Sequence, residues 1–315
     1  MYRIFDFSLV CDIPLPELPE TNTSDSIIKV QRSQRYVNTA TGTQWSHEWQ
    51  DADGEVCIKY GRSGKDFLLQ FPGVIDFLVT YSGDTIHYFP EPGIPVEMVR
   101  HLLLDQVIPR IFSHKGRLVV HASAVVHDGG AIIFLGDTGS GKSTLAAGFH
   151  MQDFEILTDD CILLSPEHDT TMCIPCYPGI RLWNDSYEAV VNDEKYLSNI
   201  SYRADKQRLI LHDAKAAMQI QSVPLVAIFI LDDKTRSQQN NRISIVPVSG
   251  AIAAMDIIRQ SFVLDVHDKE NTGKMFAIAS GIANSGMPIY RLGYPFDYKM
   301  LNKVQETIIK MVNGD

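Results

Sequence analysis

Eight consecutive residues in the middle of the chain have the types and spacing that bind phosphate groups. Residues 136–143 match the pattern G-x-x-x-x-G-K-[ST] at every fixed position. In this pattern the glycines let the backbone curl until its N–H groups face the phosphates, Lys142 reaches the β- and γ-oxygens, and the Ser143 hydroxyl ligates Mg²⁺. We therefore predict a phosphate-binding loop (P-loop) that binds a nucleotide and Mg²⁺. Its nucleotide-binding residues are Gly136, Asp137, Thr138, Gly139, Ser140, Gly141, Lys142, Ser143 and Thr144.

Two adjacent aspartates follow the next predicted strand. Asp159 and Asp160 come 16 and 17 residues after Ser143, directly after a strand predicted over 155–158. In a parallel αβ arrangement this strand end lies beside the loop, so both carboxylates would face the γ-phosphate and its metal. One of them can hold Mg²⁺ together with Ser143 while the other accepts a hydroxyl proton, and the residue types leave open which does which. Without the loop upstream, such a pair is more typical of a turn or a cap.

Two further side chains are candidates for the phosphate site. His121 lies in an apolar strand that is predicted to pair with the strand feeding the loop, so it is either close to the phosphates or an ordinary core or edge histidine. Arg181 follows the predicted Pro-Gly turn at 178–179, where its cation can stabilise a transferring phosphoryl group. The alternative for Arg181 is a turn that leads into a buried Trp183.

Cys173 and Cys176 form a single C-x-x-C pair. A zinc site would need two further ligands at a comparable spacing, and a redox pair would need a strand–helix context that the Pro-Gly pair at 178–179 argues against. The five cysteines are an odd and low number, which favours reduced thiols. We expect neither metal nor redox chemistry at this pair.

The elements that must position these residues fall into three segments. Residues 1–95 read as short alternating strands broken by Asp-Gly, Ser-Gly and Pro-Gly pairs, which predicts a smaller β-rich N-terminal module. Residues 96–116 have apolar side chains at helical spacing and predict a connecting helix. Residues 117–315 alternate strands and helices, with a hairpin turn at 128–130 and a helix over 142–151, and predict an α/β domain that carries the P-loop.

Further elements are predicted downstream of the two aspartates. The strands are 161–164, 225–231, 243–248 and 289–293, and the helices are 185–197, 251–263, 269–283 and 298–312, with Ser249 and Asp297 as N-caps.

Charge and composition limit the partners. The chain has 28 basic and 38 acidic residues, a net charge of −10, which disfavours nucleic acid or an anionic membrane as the main partner. The longest apolar stretches, such as 131–135 and 225–231, are far below the roughly 20 residues that span a bilayer, and residues 1–6 lack the apolar core of a signal peptide. We expect a cytoplasmic globular protein without nucleic-acid or membrane partners, and a homo-oligomer is compatible with the sequence.

The order of the candidate residues resembles the C-terminal catalytic domain of HPr kinase/phosphorylase. That family has a histidine, a GDxGxGKS loop and an Asp-Asp pair in the order and at the approximate spacing of His121, residues 136–143 and residues 159–160. The stretch 116–183, together with the β-rich front module, is still more similar to HPr-kinase-related proteins encoded beside peptide-tailoring genes, including lasso-peptide precursor kinases. The resemblance implies a P-loop fold related to phosphoenolpyruvate carboxykinase and transfer of the γ-phosphoryl group to a serine hydroxyl.

The resemblance also implies roles for single residues. Lys142 and Ser143 correspond to the phosphate and Mg²⁺ contacts, Asp160 to the proton acceptor, Asp159 to its acidic partner and His121 to the histidine of that family. The family's Glu-x-Arg-Gly stretch has no clean counterpart at 177–183, where Arg181 replaces only the cation. The resemblance therefore supports neither reverse phosphorolysis nor HPr itself as the substrate.

The sequence is most consistent with an ATP- and Mg²⁺-dependent kinase that phosphorylates a serine of a peptide or small protein, such as the precursor peptide of a ribosomal natural product. One alternative is a kinase for a small alcohol such as free serine. Another is a nucleotide-gated sensor that uses the β-rich module as its partner surface and turns over little. The aspartate pair favours catalysis over sensing, whereas peptide and small-molecule acceptors stay equally open.

Overall fold

The computed structural model describes residues 1–22, 26–34, 42–50, 54–177, 179–191, 197–198, 206–209, 222–232 and 242–314. The chain divides into two compact units, both of which combine strands with helices. The first comprises Met1–Arg117 and Phe262–Gly273, and the second comprises Leu118–Ser261 and Lys274–Asp315. Over the described residues, no helix combines the length and apolar character that crossing a membrane requires.

The first unit is built on an eight-stranded sheet with the order β1-β2-β3-β8-β7-β6-β5-β4. Strand β3 runs parallel to both of its neighbours, and the other pairs are antiparallel. The strands are β1 Tyr2–Ile4, β2 Phe7–Cys11, β3 Ile27–Arg32, β4 Gln44–Gln50, β5 Val56–Ser63, β6 Asp66–Phe71, β7 Ile75–Val79 and β8 Thr85–Pro90.

A helical segment follows β8 and belongs to this first unit. It consists of α1 (Val96–Leu102), a π-helical turn (Leu103–Val107) and α2 (Ile108–His114), where the sequence predicts one helix over 96–116. Pro109 accounts for the interruption, because proline has no N–H to donate to the carbonyl four residues earlier and its ring crowds that carbonyl. The apolar face of this segment contributes to the core of the first unit. There the buried Phe112 packs edge-on against Phe5, which lies between β1 and β2.

The second unit is built on a nine-stranded mixed sheet and a separate three-stranded sheet. The central strand β18 runs parallel to β11 and β20 and antiparallel to β14. The strands of the large sheet are β9 Leu118–Val120, β10 Ala122–His127, β11 Gly130–Leu135, β12 Glu155–Thr158, β13 Ile162–Glu167, β14 Thr170–Pro175, β18 Val223–Leu231, β19 Ser244–Pro247 and β20 Ile289–Gly293. The small sheet consists of β15 Ile180–Trp183, β16 Leu197–Ser198 and β17 Lys206–Leu209.

The helices of the chain beyond residue 117 are α3 Lys142–His150, α4 Asn184–Val190, α5 Gly250–Arg259, α6 Lys269–Asn284 and α7 Leu301–Asn313, with a 3₁₀ turn at Tyr298–Met300 before α7. The helix predicted over 185–197 ends at Val190, and residues 192–196 lie outside the described part of the chain. Asp297 caps the 3₁₀ turn by accepting a hydrogen bond from the backbone N–H of Lys299 at 2.9 Å, whereas Ser249 precedes α5 without a side-chain cap.

The strand order places the C-terminal ends of β11 and β12 at the same edge of the large sheet. The predicted hairpin forms between β10 and β11, and its turn residues Asp128 and Gly129 both have positive φ, at 48° and 77°. Strand β12 is not a direct neighbour of β11, because β10 lies between them and is antiparallel to both. Consequently β11 and β12 run in the same direction and both end at the edge where β10 begins.

Close packing fixes α3 beside this edge. Phe149 on α3 stacks on Phe134 of β11, with ring centroids 5.7 Å apart. A Cβ at Gly148 would lie 2.6 Å from both the Leu301 and the Gln305 side chains of α7. Glycine at this position therefore lets α3 and α7 pack closely.

Candidate active site

The loop between β11 and α3 curls around the side chain of the first helical residue. Gly139 and Gly141 have φ of 82° and 95°, values that favour glycine. The Lys142 ammonium group is buried and donates hydrogen bonds to the carbonyl oxygens of Gly136 at 2.6 Å and Asp137 at 3.2 Å. The sequence pattern of this loop thus corresponds to a concave backbone that holds one positive charge.

Not every residue of the predicted loop faces the open space next to it. Ser140 is turned inward, and its Oγ would be 2.7 Å from a Cβ placed on Gly136, so that position requires glycine. The Asp137 side chain is hydrogen-bonded within the second unit, since its Oδ1 accepts a hydrogen bond from Gln260 at 3.1 Å. The predicted residues that line the adjoining cavity are Thr138, Gly139, Gly141, Lys142, Ser143 and Thr144.

The carboxylate of Asp159 is buried at the edge where β10 begins. It is 2% exposed, and its oxygens accept hydrogen bonds from Ser123 Oγ at 2.6 Å and from the backbone N–H of Arg181 at 3.0 Å. The Ser143 hydroxyl also donates to this carboxylate. Burial, and then the charge of Asp160, raise the pKa of Asp159 to about 6, and the three hydrogen bonds oppose this rise. Three other segments of the unit therefore converge on one carboxyl group.

The neighbouring Asp160 has a different environment. Its carboxylate lies 2.5 Å from the guanidinium group of Arg181, and the two side chains are 24% and 19% exposed. Both line the cavity next to the loop, which the buried Asp159 does not. Asp159 therefore orients the Ser143 hydroxyl from the protein interior. The Asp160 carboxylate instead lines the cavity next to the Arg181 guanidinium group.

His121 lies between β9 and β10 rather than within a strand, and it lines the same cavity. Its backbone N–H donates to the carbonyl oxygen of Gln260 at 2.7 Å. Since the Gln260 amide also binds Asp137, this one residue connects the His121 backbone to the glycine-rich loop. Sequence reasoning missed Gln260 because nothing in the local pattern at the end of α5 indicates a contact with a loop more than 100 residues earlier.

The cavity has a volume of about 630 Å³, and one part of its lining, the aromatic wall, consists of large aromatic side chains. This wall includes Trp183, Phe296 and Tyr298, and no sequence pattern predicted the last two. Trp183 is 40% exposed, so the alternative of a turn leading into a buried tryptophan is wrong; Pro178 of that turn lies outside the described residues. The Thr144 hydroxyl donates to Ser186 Oγ at 3.2 Å, and this oxygen is 3.2 Å from the Tyr298 hydroxyl.

The C-x-x-C pair is part of the interior. Cys173 and Cys176 are both buried as free thiols, and burial raises the pKa of Cys173 above its usual range. Within the described ranges, His, Cys, Asp and Glu side chains form no cluster of three or more that would hold a metal ion by themselves.

A comparison with solved structures finds weak similarity to a known kinase/phosphatase. No protein-family model matches the chain. No curated protein matches it either. The Hpr(Ser) kinase/phosphatase from Coxiella burnetii is similar in structure with a TM-score of 0.32 and 11% sequence identity, over 61% of this chain and 97% of that chain. This is a weak relation of fold, and at that TM-score it does not define an activity for this chain.

Proposed function

We propose that this protein is an ATP- and Mg²⁺-dependent phosphotransferase of the P-loop type that phosphorylates a hydroxyl group. One observation carries the proposal. The ammonium group of Lys142 lies inside a glycine-rich loop, while the next residue, Ser143, directs its hydroxyl to a buried carboxylate whose neighbour Asp160 lines the adjoining cavity.

The residues present fit a nucleotide with its metal. Backbone N–H groups at the start of α3 and the Lys142 ammonium supply positive potential for phosphate oxygens. The Ser143 hydroxyl and the Asp160 carboxylate line the cavity and are hard oxygen donors of the kind that Mg²⁺ prefers, whereas the buried Asp159, predicted as a metal ligand, would act on the metal only through Ser143. Mg²⁺ is usually held by one or two carboxylates together with substrate phosphates, so this set suffices without a complete protein cage. When bound, Mg²⁺ would neutralise charge on the phosphate oxygens.

Asp160, Arg181 and Asp159 have separate roles in the phosphoryl transfer. Asp160 is the proton acceptor, because its carboxylate lines the cavity and can reach an incoming hydroxyl group. The acceptor oxygen bonds to the γ-phosphorus as the bond to the β,γ-bridging oxygen breaks, and the hydroxyl proton passes to Asp160. Arg181 stabilises charge on the moving phosphoryl group. Asp159 holds the Ser143 hydroxyl in place from the interior.

The favoured acceptor is a serine of a peptide or small protein, as the sequence resemblance to HPr-kinase-related proteins implies, and precursor peptides of ribosomal natural products are included in this class. Asp160 on the cavity wall favours turnover over a purely sensing role. Small alcohols such as free serine are the competing acceptors.

A transfer assay separates these outcomes. The full-length protein is incubated with γ-phosphate-labelled ATP, Mg²⁺, and either serine-containing peptides, the same peptides with alanine for serine, or free serine. We expect label on the serine peptides, and a loss of about 10²–10⁴-fold in the Asp160→Asn variant with ATP binding retained. Label on free serine alone would instead establish the small-alcohol kinase. ATP binding without transfer to any acceptor would support the sensor, and absence of ATP binding would refute the proposal.

A further inference from the structure

We propose that the aromatic wall of the cavity, formed by Trp183, Phe296 and Tyr298, is a nucleoside subsite on which the base of the nucleotide stacks. The inference rests on the proposed function, since it takes the nucleotide's phosphates to lie on the loop at 136–141. Beyond the proposed function, it assigns the binding of the nucleoside part of the ligand to the aromatic wall.

The direction of the bound triphosphate follows from two consecutive residues of α3. Ser143 donates its hydroxyl to Asp159, whereas Thr144 donates to Ser186, which in turn contacts the Tyr298 hydroxyl. Side chains of consecutive helical residues diverge by about 100°, so these hydroxyls mark two sides of the helix start. A triphosphate with its reacting end at the acidic side has its other end directed to Ser186 and Tyr298.

The same cavity presents large aromatic surfaces, of which Tyr298 lies on the Thr144 side and Phe296 lies beside Gly141 of the loop. Trp183, Phe296 and Tyr298 are 40%, 43% and 41% exposed, although rings of this size usually lose most of their exposure in a folded chain. All three line the cavity that also contains the loop. Exposed aromatic side chains gathered on one cavity wall are typical of ligand-binding grooves.

The ring of Phe296 is also held in place before any ligand arrives. The buried Tyr294 lies parallel to it, with an angle of 5° between the ring planes and 6.3 Å between the centroids. A planar base can stack on a ring that is already fixed at little cost in side-chain entropy. The cavity volume of about 630 Å³ falls within the range of roughly 300–1,000 Å³ that holds small organic ligands.

Stacking on such a wall recognises the aromatic face of a base, which every nucleobase has. The ligand class is therefore a nucleoside triphosphate, and the wall distinguishes it from a bare chain of three phosphates. Inorganic tripolyphosphate is the probe that retains the phosphates and lacks the nucleoside.

The test measures dissociation constants of ATP and of inorganic tripolyphosphate, each with Mg²⁺, for the full-length protein by titration calorimetry. Phe296→Ala is expected to weaken ATP binding by about 5- to 100-fold and to change tripolyphosphate binding by less than about twofold. Phe296→Tyr keeps the ring and should keep the ATP affinity. Phe276→Ala removes a ring of similar exposure, 45%, that is outside the cavity lining, and should change neither constant.

Selective loss of ATP binding in Phe296→Ala, with recovery in Phe296→Tyr, supports the subsite. Equal affinity of the wild-type protein for ATP and tripolyphosphate overturns it, and so does an equal loss of both ligands in Phe296→Ala; in both cases the phosphate loop stands. Binding of neither ligand by the wild-type protein would refute the proposed function and the subsite with it.

Discussion

Replacing Asp159 by asparagine should change how the free energy of unfolding depends on pH. In the folded protein, burial and the charge of Asp160 raise the pKa of this carboxyl group to about 6, compared with 3.8 for an ordinary aspartate. The folded chain therefore retains a proton between these two values that the unfolded chain has already released. By linkage, the stabilisation from this protonated form is complete below about pH 4 and is lost as the pH rises through about 6.

The size of the effect follows from the gap between the two pKa values. Each tenfold difference in proton affinity corresponds to about 1.4 kcal/mol, so the gap between 3.8 and about 6 corresponds to about 3 kcal/mol. An asparagine carries no charge at either pH. The free energy of unfolding of Asp159→Asn, relative to the wild-type protein, should therefore increase by about 2 kcal/mol between pH 4 and pH 7, which is most of the full difference.

Urea unfolding of both proteins at intervals between pH 4 and pH 7.5 measures this difference directly. Only the pH dependence of the wild-type-to-variant difference in free energy of unfolding is used. Any pH-independent cost of altering the hydrogen bonds to Ser123 and Arg181 therefore cancels. Asp169→Asn, which removes a carboxylate from an exposed position, is the matched control and should show no such change. A wild-type-to-variant difference that stays constant across this range would refute the buried, raised-pKa carboxyl group.

Three further outcomes are expected around the same carboxylate pair. Arg181→Ala removes the guanidinium group beside Asp160 but keeps the backbone N–H that binds Asp159, so it should lower kcat more than ATP affinity; unchanged kcat would leave Arg181 a structural residue. Ser123→Ala removes the 2.6 Å hydrogen bond to the buried carboxylate and should cost about 1–3 kcal/mol in urea unfolding at pH 7, while a loss below about 0.5 kcal/mol would contradict that contact. Asp159→Asn should raise the Mg²⁺ concentration needed for half-maximal transfer, and an unchanged Mg²⁺ titration would remove Asp159 from the metal site.

The local sequence pattern was sufficient to predict several strands and a hairpin. The strand at 155–158 and the strand at 289–293 have the predicted bounds. The hairpin at 128–130 followed from residues that tolerate positive φ. The π-helical turn before Pro109 was missed, since helical periodicity of the apolar residues continues through it.

The contacts within the candidate site depend on strand order, which local pattern does not encode. Ser123 meets Asp159 only because β10 lies between β11 and β12, and an arrangement with β12 next to β11 would place another residue there. The pairing of Arg181 with Asp160 likewise requires β15, a strand that the sequence did not predict. Phe296 and Tyr298 reach the cavity from a segment that follows the loop by about 150 residues, and no motif marks them.

The central claim is that the loop at 136–141 binds the phosphates of ATP with Lys142 at its centre, and equilibrium binding of Mg²⁺-ATP tests it most directly. Loss of a charge-assisted contact worth about 1.5–3 kcal/mol should weaken ATP binding by roughly 10- to 150-fold in Lys142→Ala, whereas Lys269→Ala, at an exposed position outside the cavity lining, should bind as the wild-type protein does. Wild-type and Lys142→Ala proteins of equal affinity for Mg²⁺-ATP, or a wild-type protein that does not bind it, would contradict the claim.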